Sequence, residues 1–201
     1  MEENRPPAQP CTWKTNEEAV SATDEQLLAA ARRGDDEAFH TLVDRHAGVL
    51  FRLAWSLVGN AADAEDVLQE TLVGAYQHMR RFQGRSTVKT WLTRILMRQA
   101  ARLYRRRGRR RDERSLNEAA AAVETPGSVA DDANRREDIR AALQMLTAKH
   151  REALILREFE GLSYAEMARV LQVPQGTVES RLYRARQELK EILRGYLTET
   201  D

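Results

Sequence analysis

The segment that decides the fold lies near the C-terminus and reads SYAEMARVLQVPQGTVESRLYRARQEL over residues 163–189. Ser163, followed three residues later by Glu166, forms a capping box, which predicts a short helix from here to Leu171. A tight turn follows, and Pro174 suits the first position of a second, longer helix. This is the spacing of a helix-turn-helix, although an ordinary helical hairpin with a charged surface has the same spacing.

The longer helix of this motif has an apolar face and a polar, basic face. Val178, Leu182, Ala185 and Leu189 are spaced four, three and four residues apart, which predicts that they are buried. In a helix-turn-helix, this helix enters the major groove of DNA with its N-terminal residues at base edges. The opposite face presents Gly176, Ser180, Tyr183 and Gln187, flanked by Glu179, Arg181, Arg184 and Arg186.

Upstream, the apolar residues follow a helical period in four segments, expected at residues 24–33, 35–58, 61–79 and 87–106. Thr23, Asn60 and Ser86 are expected N-caps in this part of the chain, and Thr147 is an expected N-cap further on. We therefore predict an all-α protein. Its expected parts are a disordered tail over 1–22, a four-helix bundle over 23–107, a flexible linker over 108–134, a helix-turn-helix domain over 135–194 and a tail over 195–201.

The net charge of +1 conceals strong local charges of opposite sign. Residues 80–111 contain 13 Lys and Arg and no Asp or Glu, whereas residues 112–138 contain 8 acids and 3 arginines. A basic block of this size favours a polyanion as partner, because each phosphate contact releases counterions. The alternative is a solvated basic helix followed by an arginine run without a ligand.

Several classes of protein are excluded by composition. The single cysteine, Cys11, excludes an internal disulfide framework and a multi-cysteine zinc site. No apolar run reaches the roughly 18 to 20 residues that span a bilayer, and the N-terminus lacks the apolar core of a signal peptide, so we expect a cytoplasmic protein without membrane insertion. No Walker loop, dinucleotide fingerprint or nucleophile triad occurs, and the four histidines lack metal-ligand spacing. We expect neither an enzyme, nor a cofactor, nor a metal site.

An acidic face is predicted on the third helix. Asp63, Asp66 and Glu70 are spaced three and four residues apart, so they share one face, with Gln69 and Val73 beside it. Such a face favours a basic protein partner. The helix dipole alone also favours acids in the first turn, but it does not account for Glu70.

A basic stripe is predicted on the fourth helix. Arg94, Arg98, Arg102 and Arg105 are spaced four, four and three residues apart, which suits a phosphate backbone. Trp91 lies at the edge of this stripe. Its ring either packs on a nucleic-acid base or half-covers the core, and the two roles are compatible.

Together these motifs resemble the sigma-70 family of RNA polymerase sigma factors, and within it the extracytoplasmic-function (ECF) group. The resemblance covers about residues 23–193, and its motifs occur in the family's order. LTAKHREALILREFEGLSYAEMARVLQVPQGTVESRLYRARQEL is similar to the fourth conserved region. LLAAARRGDDEAFHTLVDRH and DAEDVLQETLVGAYQHM are similar to the second, and FQGRSTVKTWLTRILMRQAARLYRRR resembles the part that handles the −10 promoter element.

The resemblance implies a factor that binds RNA polymerase core and directs promoter-specific initiation. A coiled coil of the largest polymerase subunit is the implied partner of Asp63, Asp66, Gln69, Glu70 and Val73. The residues implied to bind and help melt the −10 element are Arg81, Gln83, Arg85, Ser86, Lys89, Trp91, Arg94, Arg98, Arg102 and Arg105. Those implied to bind the −35 element are Gln175, Thr177, Glu179, Ser180, Arg181, Tyr183, Arg184 and Arg186. An anti-sigma factor is a further implied partner, and the free protein is expected to be monomeric.

Two other functions fit parts of the sequence. A stand-alone helix-turn-helix regulator would bind duplex DNA by itself, as a dimer on palindromic sites, but it leaves the acidic face around Asp66 unexplained. An adaptor or RNA-binding protein would use the basic stripe without promoter specificity, and it leaves the tip of the helix-turn-helix unexplained.

Overall fold

A computed structural model describes the backbone of residues 22–114 and 131–198, and the side chains of residues 22–107 and 138–194. Every regular element within these ranges is helical, which confirms the predicted fold class. The elements are α1 Asp24–Arg32, α2 Asp36–Val58, α3 Ala61–His78, a 3-10 turn Met79–Arg81, α4 Val88–Arg114, α5 Asp131–Met145, α6 Ala148–Glu158, α7 Tyr164–Leu171 and α8 Gln175–Thr198. The predicted tails before residue 22 and after residue 198, and residues 115–130 of the predicted linker, lie outside the described residues.

Local capping explains where the first three helices begin. Thr23 Oγ1 accepts a hydrogen bond from Gln26 N at 3.3 Å, and Gln26 Oε1 accepts one from Thr23 N at 2.8 Å, as the capping box predicts. Asn60 caps α3 by accepting from Asp63 N at 3.0 Å. Gly59 ends α2 with a φ of 82°, the left-handed conformation that favours glycine at a helix C-terminus.

Helices α1 to α4 form the N-terminal bundle, with α2 at its centre in contact with the other three. Its core contains Leu28, Leu57, Val67 and Leu96, which are all buried. Burying one such side chain stabilises the folded state by roughly 1.5–3 kcal/mol. The apolar residues that recur with the helical period are therefore the main source of stability in this bundle.

The fourth helix differs from its prediction at both ends. Thr87 caps it instead of Ser86, because Thr87 Oγ1 accepts a hydrogen bond from Thr90 N at 3.1 Å. The helix continues to Arg114 rather than ending near Arg106. Arginine is a favourable helix former, and the cost of Gly108 inside a helix, about 1 kcal/mol, is too small to end it. Residues 108–114 and 131–134 of the predicted linker are therefore helical.

Helices α5 to α8 form the C-terminal unit, in which α7 and α8 make the predicted helix-turn-helix. The capping box is present, with Ser163 N donating to Glu166 Oε2 at 2.9 Å and Glu166 N donating to Ser163 Oγ at 3.3 Å. Gln172 ends α7 in the left-handed conformation, with a φ of 56°. Pro174 precedes α8 instead of being its first residue, since its carbonyl already accepts from the N–H of Thr177.

Thr147 holds the N-cap position of α6, but its side chain makes no capping hydrogen bond. Its backbone N–H instead donates to Glu188 Oε1 at 3.2 Å. A side chain from α8 thus contacts the start of α6. The prediction of a threonine cap is therefore correct in position and wrong in mechanism.

The two units pack against each other. Helix α4 contacts α7, and α2 contacts α5 and α6. Buried side chains of both units form one continuous apolar cluster.

Candidate protein and nucleic-acid interfaces

The acidic face of α3 is exposed as predicted for Asp66, Gln69 and Glu70, and the side chain of Val73 is 52% exposed beside them. We call these four residues the docking face. Asp63, predicted on the same face, is less exposed than these four residues. Its carboxylate is half-buried and forms an ion pair with Arg107 of α4, so it already has a partner within the chain.

The docking face borders α4 directly. Asp66, Gln69 and Glu70 line a cleft of about 270 Å³, and Arg102 and Arg106 line its other wall. Acidic and basic side chains therefore face one another across a single cleft.

An apolar patch continues the docking face toward the C-terminus of α3. Tyr76, 47% exposed, stacks edge-to-face on Phe39 at 5.1 Å between ring centroids and donates a hydrogen bond to Asp36. Sequence reasoning missed Tyr76. The signal for it was an aromatic residue one helical turn beyond the exposed Val73.

The predicted basic stripe is present on α4. Arg98, Arg102 and Arg105 are exposed, whereas Arg94 is half-buried. Burial lowers the pKa of the Arg94 guanidinium, and the positive charges of Arg98 and Arg169 lower it further. Arg169 belongs to α7, so the C-terminal unit lies close to one end of this stripe.

The loop before α4 is exposed at Arg81, Gln83 and Arg85, while Ser86 is half-buried. Lys89, the first basic residue of α4, forms an ion pair with Glu160 of the C-terminal unit at 3.0 Å. This lysine is therefore engaged within the chain.

Trp91 packs at the edge of the core. Its ring lies 5.2 Å from that of Phe82, and it contacts the apolar residues of the bundle. One side of the Trp91 ring thus packs against the core. This agrees with the predicted role of Trp91 as a residue that half-covers the core.

The N-terminal part of α8 presents most of the predicted side chains to solvent. Tyr183 is 67% exposed, and no atom lies within 4 Å of the position a Cβ on Gly176 would take. Thr177 and Arg181 are only half-buried. The exposed members of the predicted set are Gln175, Glu179, Ser180, Tyr183, Arg184 and Arg186.

Four of these side chains, Gln175, Glu179, Ser180 and Arg186, have hydrogen-bond partners in the C-terminal unit. Arg186 donates to Glu158 Oε1 at 2.8 Å, and this hydrogen bond raises the pKa of the arginine. Gln175 donates to Glu179 Oε1 at 3.2 Å. The tip of α8 is therefore preorganised by contacts that a ligand must compete with or use.

Comparison with known proteins identifies both units. Residues 42–110 match the family model "Sigma-70 region 2", and residues 136–189 match "Sigma-70, region 4". The chain is 36% identical over 190 residues to the RNA polymerase sigma-H factor of Pseudomonas aeruginosa, covering 88% of this chain and 96% of that protein. It is 36% identical over 194 residues to the ECF RNA polymerase sigma factor SigE of Mycolicibacterium smegmatis, covering 92% of this chain and 75% of that protein.

The chain belongs to the ECF sigma factors.

Solved structures agree with this assignment. The sigma factor RpoE of Bartonella quintana, in complex with the anti-sigma factor NepR, is 32% identical with a TM-score of 0.63, covering 78% of this chain and 96% of that one. CnrH, in complex with the cytosolic domain of CnrY, is 28% identical with a TM-score of 0.64, covering 86% and 97%.

As an ECF sigma factor, the protein directs promoter-specific transcription by RNA polymerase rather than acting as a stand-alone regulator. Its relatives are initiation factors rather than enzymes. Within residues 22–114 and 131–198 of this sigma factor, none of the helices contains an apolar stretch that could span a lipid bilayer.

Proposed function

We propose that this ECF sigma factor divides its work between the two units: residues 23–107 bind polymerase core and the −10 element, and residues 135–194 bind the −35 element. The observation that carries the proposal is the position of the exposed docking face on the same bundle as the basic stripe. A bundle that presents both surfaces can hold polymerase and DNA together.

The docking face supplies the polymerase contact in this proposal. Two exposed carboxylates beside Gln69 and the apolar Val73 suit a basic helical partner such as the polymerase coiled coil. Asp63 contributes by holding α4 through Arg107, as a positioning residue.

The basic stripe and the preceding loop supply the −10 contact. The exposed guanidinium groups of Arg98, Arg102 and Arg105 provide phosphate contacts, which fix the register of a strand without reading its sequence. Trp91, which packs against Phe82, offers an aromatic ring on which a melted base stacks. The exposed loop residues Gln83 and Arg85 supply the polar groups for an unpaired base.

The tip of α8 supplies the −35 contact. Ser180, Tyr183 and Arg184 are exposed on one face at the start of a long helix, as major-groove docking requires. Arg184 is the residue best suited to bidentate recognition of guanine. The Glu179 carboxylate accepts a hydrogen bond from the N4 amino group of cytosine and repels phosphate. It therefore restricts the DNA sequences to which α8 binds.

The same surfaces are targets for regulation. An anti-sigma factor that covers the docking face or the stripe would keep the protein from polymerase. The relative RpoE of B. quintana was solved in complex with an anti-sigma factor. We expect the protein to act in the bacterial cytoplasm, where polymerase and promoter DNA are found.

Reconstitution with bacterial polymerase core and a randomised promoter pool tests this function. We expect selection of templates with two sequence elements, one near −35 and one near −10. The matched control is the Asp66→Arg variant, which keeps both DNA surfaces and loses the docking face. If the wild-type chain gives core no promoter-selective transcription, the proposal is wrong.

A further inference from the structure

A cavity of about 400 Å³ lies between the basic stripe of α4 and the C-terminal unit. Arg98, Arg102 and Arg105 line it from α4. Glu152 of α6 and Gln172, the residue after α7, line it from the other unit. Sites for small molecules in proteins usually have volumes of roughly 300–1,000 Å³, so this cavity is large enough for a small ligand.

The lining of the cavity carries an excess of positive charge. Among the described residues that line it, three are arginines and Glu152 alone is acidic. Burial raises the pKa of the Glu152 carboxyl group, which favours its neutral form, although Arg181 and other nearby cations oppose the shift. The lining therefore favours an anionic ligand.

Two further arginines bring positive charges of both units together at one end of the stripe. Arg94 lies one helical turn before Arg98, and Arg169 of α7 is adjacent to Val170, which lines the cavity. Burial, and then the positive charges of Arg98 and Arg169, lower the pKa of the Arg94 guanidinium. Within the described residues, no acceptor lies near the buried Nε of Arg94. Like charges repel one another, so an anion bound beside them would stabilise this part of the fold.

One wall of the cavity is apolar. Met97 of α4 is only 4% exposed, and Ala101, Val170 and Leu171 line the cavity with it. An inorganic anion would leave this wall without a contact, whereas a nucleotide joins phosphates to a flat base that can cover it. The side-chain amide of Gln172 can both donate and accept hydrogen bonds, as the edge of a base requires.

We propose that the cavity between α4, α6 and α7 binds a nucleoside polyphosphate, with its phosphates on Arg98, Arg102 and Arg105 and its base against the apolar wall. Guanidinium groups suit this role because they bind phosphate oxygens through paired, charge-assisted hydrogen bonds. A ligand that contacts both units at once stabilises the arrangement in which they are packed. The site goes beyond the proposed function, because its ligand binds without polymerase or promoter DNA.

Isothermal titration of the full chain with ATP at fixed salt concentration tests the site. We expect saturable binding of one ATP per chain. Adenosine and tripolyphosphate should each bind at least about tenfold more weakly than ATP, since each lacks one of the two sets of contacts. Equal affinity for tripolyphosphate overturns the assignment of a nucleoside, and the absence of saturable ATP binding overturns the site.

Two variants on opposite sides of the cavity distinguish it from the exposed stripe alone. Arg98→Gln should reduce the affinity for ATP roughly tenfold, because a charge-assisted hydrogen bond is lost. Glu152→Gln should raise the affinity roughly threefold, because it removes a negative charge and keeps a polar group of the same size. Unchanged affinity with Glu152→Gln would place ATP on the exposed stripe and overturn the cavity. Weaker binding with this variant would overturn the anion.

The matched control is Arg33→Gln, which removes an exposed arginine that does not line the cavity and should leave the affinity for ATP unchanged. Arg169→Gln, at an exposed position of α7, guards against a local defect in α4 and should also weaken ATP binding. Unchanged affinity with both Arg98→Gln and Arg169→Gln overturns the proposal. Since no polymerase or DNA is present, a failure of the proposed function would instead appear as loss of promoter selection with ATP binding unaffected.

Discussion

Glu158 accepts a hydrogen bond from Arg186 at 2.8 Å, so a side chain predicted to contact the −35 element is paired within its own unit. Both side chains are half-exposed, and such a surface pair contributes only about 0–1 kcal/mol to stability. We predict that Glu158→Ala leaves stability nearly unchanged and raises −35 affinity about two- to fivefold at low salt, because Arg186 is freed for phosphate. Binding titrations over a range of salt concentrations measure this, and an unchanged salt slope would contradict it.

The docking face makes a separate prediction. Asp66→Arg should reduce the affinity for polymerase core by at least a hundredfold, because a like charge facing a basic partner costs several kcal/mol. Binding of the C-terminal unit to −35 duplex should stay the same, as measured in the full chain by mobility shift.

Asp63→Asn is the informative comparison for that prediction. It removes the ion pair with Arg107 and should lower the free energy of unfolding by about 0.5–1 kcal/mol while core affinity changes less than twofold. A loss of core affinity as large as that of Asp66→Arg would return Asp63 to the docking face.

We predict that Arg184 contributes to recognition of the base sequence of the −35 element. Arg184→Ala is expected to cost about 1–3 kcal/mol on the preferred −35 site and to relax preference at one base position, as measured by selection from a randomised duplex. An equal loss on every sequence would identify Arg184 as a phosphate contact instead.

The carboxyl group of Glu152 is expected to make the stability of the protein depend on pH. Burial raises the pKa of its carboxyl group, although the nearby charges of Arg181 and Arg151 oppose the shift. The folded protein therefore holds this proton more tightly than the unfolded chain, so the stability it contributes is present at low pH and is lost as the pH rises through the raised value. Glu152→Gln should raise the melting temperature by a few degrees at pH 7, and the gain should vanish below about pH 4.

The control for that measurement is Glu191→Gln, an exposed glutamate on α8. It should change the melting temperature little at either pH. If Glu152→Gln lowers the melting temperature at pH 7, the arginine contacts outweigh burial and the sign of the prediction is wrong.

Substitution of two glycines tests how closely the Gln144 side chain packs against the end of α2. Gly59 and Gly34 both have positive φ, 82° and 101°, but only Gly59 has a neighbour, the side chain of Gln144, within reach of a new Cβ. Each substitution to alanine should cost about 1 kcal/mol or more for the backbone alone. Gly59→Ala should cost more free energy of unfolding than Gly34→Ala in chemical denaturation. Equal costs would show that Gln144 moves aside freely.

Most of the helices could be predicted because their signals are local. The capping boxes at Thr23 and Ser163 and the left-handed Gly59 depend on residues within one turn, and the structure contains all three. The end of α4 was missed because a single glycine is a weak signal against a run of arginines. The exposure of Asp66, Gln69, Glu70 and Val73 was predicted, whereas the ion pair of Asp63 was not, because its partner Arg107 is distant in sequence.

The contact between the units could not be predicted from the sequence. Arg151 and Gln144 are of residue types that are usually exposed, Tyr104 is of a type with intermediate burial, and nothing in their spacing shows that they meet. All three donate hydrogen bonds to carbonyls at the end of α2, nearly a hundred residues away in the case of Arg151. A backbone carbonyl can accept a hydrogen bond whatever side chain its residue carries. The sequence therefore contains no signal that marks the acceptor residues of these long-range hydrogen bonds.

If the docking face binds polymerase and α4 binds DNA, as proposed, the cleft between them links the two ligands thermodynamically. Asp66 and Glu70 line the same cleft as Arg102, and charges in physiological salt interact over a distance of about 8 Å. In the free protein, these acids weaken the attraction of Arg102 for phosphate. A basic partner that neutralises these acids strengthens the attraction of Arg102 for phosphate. By reciprocity, bound DNA raises the affinity of the protein for that partner.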